Sequence, residues 1–172
     1  GSCRLAEFYG AAGQRPSFTD PAYANFLNNQ VAITTTGTQG TPYVLHIVDI
    51  SGPPPPPNLN YAAPRYERPD WTVAGLGRVY GLTLDSDGNI YVAATSAYGP
   101  TQNPGKIKRI DAKTGAITDL ITLPNSGPAL GNINYDCVSE TIYASNHEDG
   151  RIYQINLKGE VMSTYKHSTK NV

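Results

Sequence analysis

Charge is scarce in this sequence. Among 172 residues there are 14 acidic and 13 basic side chains, so charged residues make up 16% of the chain, against roughly 25% in an ordinary soluble domain. The net charge is −1 and the lysines and arginines form no run. Holding a phosphate backbone takes clustered basic side chains, so nucleic acid is not an expected partner. Long apolar runs are missing as well: none approaches the ~18 residues of a spanning helix, and no membrane span is expected. The opening Gly1-Ser2-Cys3-Arg4 lacks an apolar h-region, which reads as a soluble chain from which any signal peptide has already gone. Cysteine is limited to Cys3 and Cys137. Neither sits in a CxxC or Cys/His spacing, which sets zinc aside. The two allow one intrachain disulfide, closing a loop of more than about 130 residues and worth up to ~5 kcal/mol by chain entropy; two unrelated free thiols are the alternative.

What the chain does hold is 17 glycines, 14 prolines and twelve tyrosines, against three phenylalanines and one tryptophan. That composition favours strands and turns, and an all-β fold. In the second half one pattern occurs twice. Gly81-Leu82-Thr83-Leu84-Asp85, a turn at Ser86-Asp87-Gly88-Asn89 and Ile90-Tyr91-Val92-Ala93-Ala94 are matched by Gly131 to Asp136, Cys137 to Glu140 and Thr141 to Asn146. Gly105 to Asp111 is then echoed by Gly150 to Asn156, and a fourth strand follows in each copy, Ala116 to Leu123 and Val161 to Tyr165. The copies are offset by 44 to 52 residues, the length of a four-stranded propeller blade, and period-2 alternation within the strands supports the same reading.

A more diverged copy lies upstream, with Val31 to Thr34, Tyr43 to Asp49 and Trp71 to Ala74 as its second, third and fourth strands. The expected layout is therefore an N-terminal segment, 1–30, irregular or supplying a first strand, followed by blades over about 31–77, 78–124 and 128–167. A proline-rich loop, 52–70, interrupts the first blade. Its five prolines, Pro53 to Pro57, offer no amide donors and fix φ, so they must be extended. They form a protruding loop or a linker; docking into an SH3- or WW-type groove is a further mechanism, one that needs an intracellular setting.

The segment Gly81 to Ala93, together with Asn146-His147-Glu148-Asp149-Gly150-Arg151-Ile152-Tyr153, resembles β-propeller repeats of the NHL, YVTN and gluconolactonase-like type. The resemblance extends from about Arg78 to His167 and more weakly over Val31 to Leu76. It implies a bacterial secreted or cell-surface setting, which the disulfide option also favours. Fold alone does not assign an activity, because propellers host unrelated ones. About three blades fall short of the four to eight that close a ring. The expectation is a piece of a longer propeller, or half of a ring closed between two copies.

Candidate chemistry is sparse. Asp85-Ser86-Asp87-Gly88-Asn89 opens like a calcium loop but has no Glu at the twelfth position, and reads better as a hairpin turn with positive φ supplied by Asp-Gly and Asn. Gluconolactonase-like relatives hold a hub metal, a pattern broken here at Gly131 and Tyr80, although Asn146 occupies the slot of one acid. Asn146 and Glu148 are thus the metal-site candidates, with calcium the candidate ion and no other cofactor. His147-Glu148-Asp149 clusters a base with two carboxylates, for a cation or acid-base chemistry, or as a solvated turn. No nucleophile elbow, phosphate loop or Cys/His dyad is present. Loop tyrosines Tyr61, Tyr66 and Tyr98 are candidates for a surface that binds protein or carbohydrate. The leading reading is a non-enzymatic binding or assembly module, with contacts carried by the loops Pro53 to Asp70 and Tyr98 to Pro104. A metal-dependent lactonase or hydrolase, and a structural subunit that self-associates through open blade edges, are the rivals.

Overall fold

The computed structural model describes residues 15–37, 40–59, 62–96, 99–100, 103–128 and 130–166. Cys3, Tyr61 and Tyr98 lie outside the described residues. The strands are β1 (Val31–Thr35), β2 (Leu45–Asp49), β3 (Arg65–Tyr66), β4 (Val79–Leu84), β5 (Ile90–Ala94), β6 (Lys106–Ile110), β7 (Ile117–Thr122), β8 (Leu130–Asp136), β9 (Thr141–Asn146), β10 (Arg151–Asn156) and β11 (Val161–Lys166); one helical turn, α1 (Val73–Leu76), precedes β4. They form three antiparallel meanders, β1-β2-β3, β4-β5-β6-β7 and β8-β9-β10-β11. The fold is all-β and made of propeller blades, two of them four-stranded as the repeats implied.

The local chemistry of the second blade shows why. Its first hairpin turns where Gly88 adopts φ +82, and a Cβ there would stand 2.2 Å from Arg15 O. Only glycine fits both demands. Asn89, expected to share the positive φ, does not; it is buried, and its side chain instead accepts from Ala112 N at 2.8 Å. The third blade makes its turn with Glu140 at φ +56. Both inner strands carry the same irregularity, the register shifting between Val79 and Leu82 in one and between Leu130 and Ile133 in the other. There β4 and β8 lie so close that a Cβ on Gly81 would come within 3.0 Å of Gly131 O.

Blades stack face to face through two apolar seams. Every residue of β5 is buried, because alternate side chains serve opposite seams: Ile90 and Val92 point to the first, Tyr91 and Ala93 to the second. In the second seam they meet Ile133, Ile142, Ala144 and Ile155 of the third blade. In the first they meet Leu45 and Ile47 of β2 and an aromatic cluster of Phe18, Tyr23, Phe26, Tyr66 and Trp71. The rings pack mostly edge to face, as Tyr66 does on Trp71 at 5.6 Å and 85°, the arrangement that ring quadrupoles favour.

One expectation about the first blade is corrected, and over residues 15–30 the irregular alternative is the one that holds. Trp71 to Ala74 is not its fourth strand. That position is taken by β3, whose Tyr66 and Arg65 pair with Ile47 and Val48, while Val73–Leu76 coils into α1, capped by Thr72 and ended by Gly77 at φ +78. The alternation of Trp71 and Val73 suggested a strand, but Thr72 is an N-cap residue, and Gly75 is packed so tightly on Asp70 O that a Cβ would lie 1.9 Å away. Nor do residues 15–30 supply a first strand. They form a 3₁₀ turn, Pro21–Phe26, capped by Asp20, and are tied to the second blade by Ser17 N to Ala112 O (2.8 Å) and Thr19 N to Lys113 O (3.0 Å). The end of β1 touches the start of β4, Thr35 Oγ1 donating to Tyr80 O at 3.0 Å. The end of β5 meets the start of β8 in the same way, through Ser96 and Gly127. By that correspondence β1, β2 and β3 hold the second, third and fourth positions of their blade.

Candidate functional site

Among the described residues of the loops expected to carry contacts, the proline run is the part fully in solvent. Every residue from Ile50 to Leu59 is exposed, Leu59 at 64%, and the sequence has no charged side chain between Ile50 and Pro64. A turn with Leu59 N donating to Pro56 O at 3.2 Å shapes its end. Tyr66, expected as a surface residue, is not part of it. It is 4% exposed, and its hydroxyl donates to Asp20 Oδ2 at 2.8 Å. Its place in β3, between Phe18 and Trp71, explains the difference.

The candidate metal ligands are brought together but are otherwise engaged. Asn146 is 1% exposed. Its amide nitrogen donates to Pro124 O at 2.7 Å, and its oxygen accepts from Asn125 Nδ2 at 2.9 Å and Glu148 N at 3.3 Å. Glu148 accepts from the Ser126 hydroxyl at 2.6 Å and from the Ser126 amide. Asp149 is occupied by Arg151 N at 2.9 Å and by the Tyr153 hydroxyl, while the His147 ring lies against Gly131. The His147-Glu148-Asp149 run therefore does not converge: neighbouring residues of a tight turn point to different partners. Among the described residues no three His, Cys, Asp or Glu side chains gather as a metal site. Cys137 is not a free thiol, and its expected partner Cys3 lies outside the described residues.

Two polar clusters were not legible as such. The buried carboxylate of Asp85 accepts from Asp87 N (2.9 Å), Asn89 N (3.1 Å), Asn89 Nδ2 (2.9 Å) and the Tyr91 hydroxyl (2.9 Å). Four donors fill its acceptor sites, so it knits the turn and leaves no lone pair for calcium. His46, 1% exposed, joins Glu67 Oε1 at 2.9 Å to Thr36 Oγ1 at 3.0 Å. A Thr-His-Glu row resembles a nucleophile, base and orienting acid. Thr36, however, donates its hydroxyl hydrogen to Tyr43 O at 3.1 Å, so that proton is directed away from the ring. The row is a buried tie.

Charge stabilisation is concentrated in the turns. The carboxyls of Asp20, Asp49, Asp111 and Asp136 lie below the ordinary carboxylate range, chiefly through Ala22 N–H, the Ser51 hydroxyl, Thr114 N–H and the Ser139 hydroxyl respectively; Asp119 is lowered by its hydrogen bond from Lys106. Burial pushes Tyr23 up to about 12. Burial and then the nearby Asp85 raise Tyr91. For a depressed acid the stabilisation is present above the unfolded pKa, about 4, and is lost as pH falls through the folded value. The melting temperature is therefore expected to hold from about pH 7 to 5 and to drop below about pH 4, and the double variant Asp111→Asn/Asp136→Asn should flatten that drop in a thermal scan. An unchanged drop would show that these turns do not govern acid stability.

Two cavities border the second blade. One, of about 370 Å³, is polar, with Asp85, Asn89, Tyr91, Arg109 and Asp119 facing Leu157 and Lys158 of the third blade. The other, of about 490 Å³, lies where α1 approaches the start of β6. It is lined by Val73, Ala74, Leu76, Gly77, Ala94, Pro100, Asn103, Lys106 and Lys108. The alternation Lys106-Ile107-Lys108 held its signal: with Ile107 in a seam, both lysines must share the opposite face.

Meander sheets stacked through apolar seams, inner strand beside inner strand, define the class: this is a β-propeller repeat chain. Solved structures similar to it are a nidogen/laminin complex (18% identity, TM-score 0.48, 78% of this chain and 42% of that one), virginiamycin B lyase from Staphylococcus aureus (24%, 0.49, 80% and 41%) and a protein of unknown function from Bacteroides thetaiotaomicron (20%, 0.47, 68% and 26%). The chain spans less than half the length of each. No protein-family model and no curated protein matches it. No helix among the described residues is long and apolar enough to cross a membrane.

Proposed function

We propose that the chain is a non-enzymatic binding module of a secreted or cell-surface propeller protein, contacting a protein or carbohydrate through the loop Pro53 to Asp70 and its companion, Tyr98 to Pro104. The supporting observation is the exposed, uncharged stretch Ile50 to Leu59. Proline fixes φ, so such a loop loses little entropy on docking, and without charge it costs little to desolvate. A variant with Pro53 to Pro57 replaced by alternating Gly and Ser tests this on a glycan array and by cross-linking at the cell surface. Retained folding with binding reduced at least about tenfold, the loss of ~1.4 kcal/mol, is the expected result. Equal binding by both forms would overturn the loop assignment.

Self-association is the second reading, favoured by one observation. On the last blade Ile152, Met162 and Tyr165 are 46%, 57% and 51% exposed, where the corresponding strands of the second blade are more covered. Light scattering on the same samples separates the two readings: a dimer or a ladder of masses assigns this face to assembly, whereas a monomer leaves the loops as the binding surface.

A further inference from the structure

The cavity beside α1 has a lopsided charge balance. Lys106 and Lys108 project from one face of β6 and are only 18% and 24% exposed. They share one carboxylate, Asp119, at 2.8 Å from Lys106 Nζ and 3.8 Å from Lys108 Nζ. Lys108 Nζ also donates to Gly75 O at 3.2 Å, which satisfies a hydrogen-bond donor but cancels no full charge. Two ammonium groups against one carboxylate leave an excess of one positive charge in a partly desolvated recess, where an unpaired ion is costly. The rest of the lining is mostly apolar: Leu76 and Ala94 are buried at 1% and 5%, with Val73 and Pro100 beside them. Arg78 Nε, donating to Pro100 O at 3.3 Å, holds the rim. At about 490 Å³ the volume suits a small molecule.

We propose that this cavity binds a small organic monocarboxylate, its head on the Lys106 and Lys108 ammonium groups and its apolar body over Val73, Leu76 and Ala94. The inference deepens the proposed binding role by giving a ligand class to the recess that Pro100 and Asn103 help to line. One negative charge balances the lysine pair, and an apolar tail covers surface that a bare inorganic ion would leave wet.

The test is titration of the intact chain with hexanoate, followed by amide chemical shifts, beside hexanol and inorganic phosphate as controls. Shifts should map to residues 73–77, 94 and 103–108, with hexanol and phosphate each binding at least about tenfold more weakly, which is ~1.4 kcal/mol. Lys106→Met, which keeps the aliphatic stem, should weaken hexanoate severalfold with the fold retained, as circular dichroism checks. Asp119→Asn should strengthen it severalfold by freeing the ammonium pair, a gain that a merely structural Lys-Asp contact would not produce. Shifts elsewhere, equal binding of hexanol, equal binding of phosphate, or indifference to both substitutions would each overturn the proposal. Failure here stands apart from failure of the loop reading, because the glycine-serine loop variant should still bind hexanoate, and Lys106→Met should still show the macromolecular contact.

Discussion

Asp85→Ala is expected to destabilise the protein by about 4 kcal/mol, because it strands several buried donors that each cost about 1–3 kcal/mol when unpaired. The carboxylate is 3% exposed and serves Asp87 N, Asn89 N, Asn89 Nδ2 and the Tyr91 hydroxyl. Asn89 and Tyr91 are themselves buried, at 7% and 1%, so without the carboxylate their donors have only the adjoining polar cavity to turn to. Asp85→Asn keeps the shape but places a donor against other donors, and should cost roughly half as much. The same turn in the third blade supplies an internal control. There Asp136, half-buried, caps Val138 N and Ser139 through hydrogen bonds open to solvent, and Asp136→Ala should be far milder, since water replaces the lost acceptor. Denaturant unfolding of the three variants measures this. A small effect for Asp85→Ala would mean that the turn is held by its backbone alone.

Trp71→Ala is the second large effect, expected at about 3–5 kcal/mol, the usual range for deleting a buried aromatic. Trp71 is fully buried, with ring contacts to Phe18 at 5.9 Å and Tyr66 at 5.6 Å. Its carbonyl also accepts from Val44 N at 2.8 Å. The ring lies where the segment from residue 15, the first blade and α1 meet, so a cavity there loosens three parts of the seam together. The indole Nε1–H has no hydrogen-bond partner among the described residues, a buried donor left unpaired there. Trp71→Phe removes that penalty along with some volume, and should cost only about 1–2 kcal/mol. Because Trp71 is the single tryptophan, circular dichroism is the readout common to all variants. Equal losses for phenylalanine and alanine would show that the indole nitrogen, and not ring volume, matters at this site.

The repeated half of the chain was legible because its determinants are local. Period-2 alternation, the Asp-Gly turn at Asp87-Gly88 and the glycines at 115 and 159 each act within a few residues, and β4 to β11 follow them closely. The first blade is less legible because alternation alone misleads there: Trp71 and Val73 alternate like a strand, yet Thr72, Gly75 and Gly77 stop one from forming. The two-residue β3 carries too little sequence to show a period at all. Site residues divide in the same way. That Asn146 ends a strand and Glu148 stands in the loop after it is legible in sequence, but no spacing shows that both are consumed by the loop of Pro124, Asn125 and Ser126.

By itself, then, the sequence determined strand-rich blades, their order and their turns, since each is a matter of neighbours along the chain. Only the tertiary structure decided that Tyr66 is buried while Pro53 to Pro57 stand in water, that Asp85 is saturated with donors, and that Lys106 and Lys108 share a recess with α1. Those outcomes depend on which faces of separate sheets come together, and burial and charge balance at a seam are properties of two surfaces, of which any one stretch of sequence encodes only one.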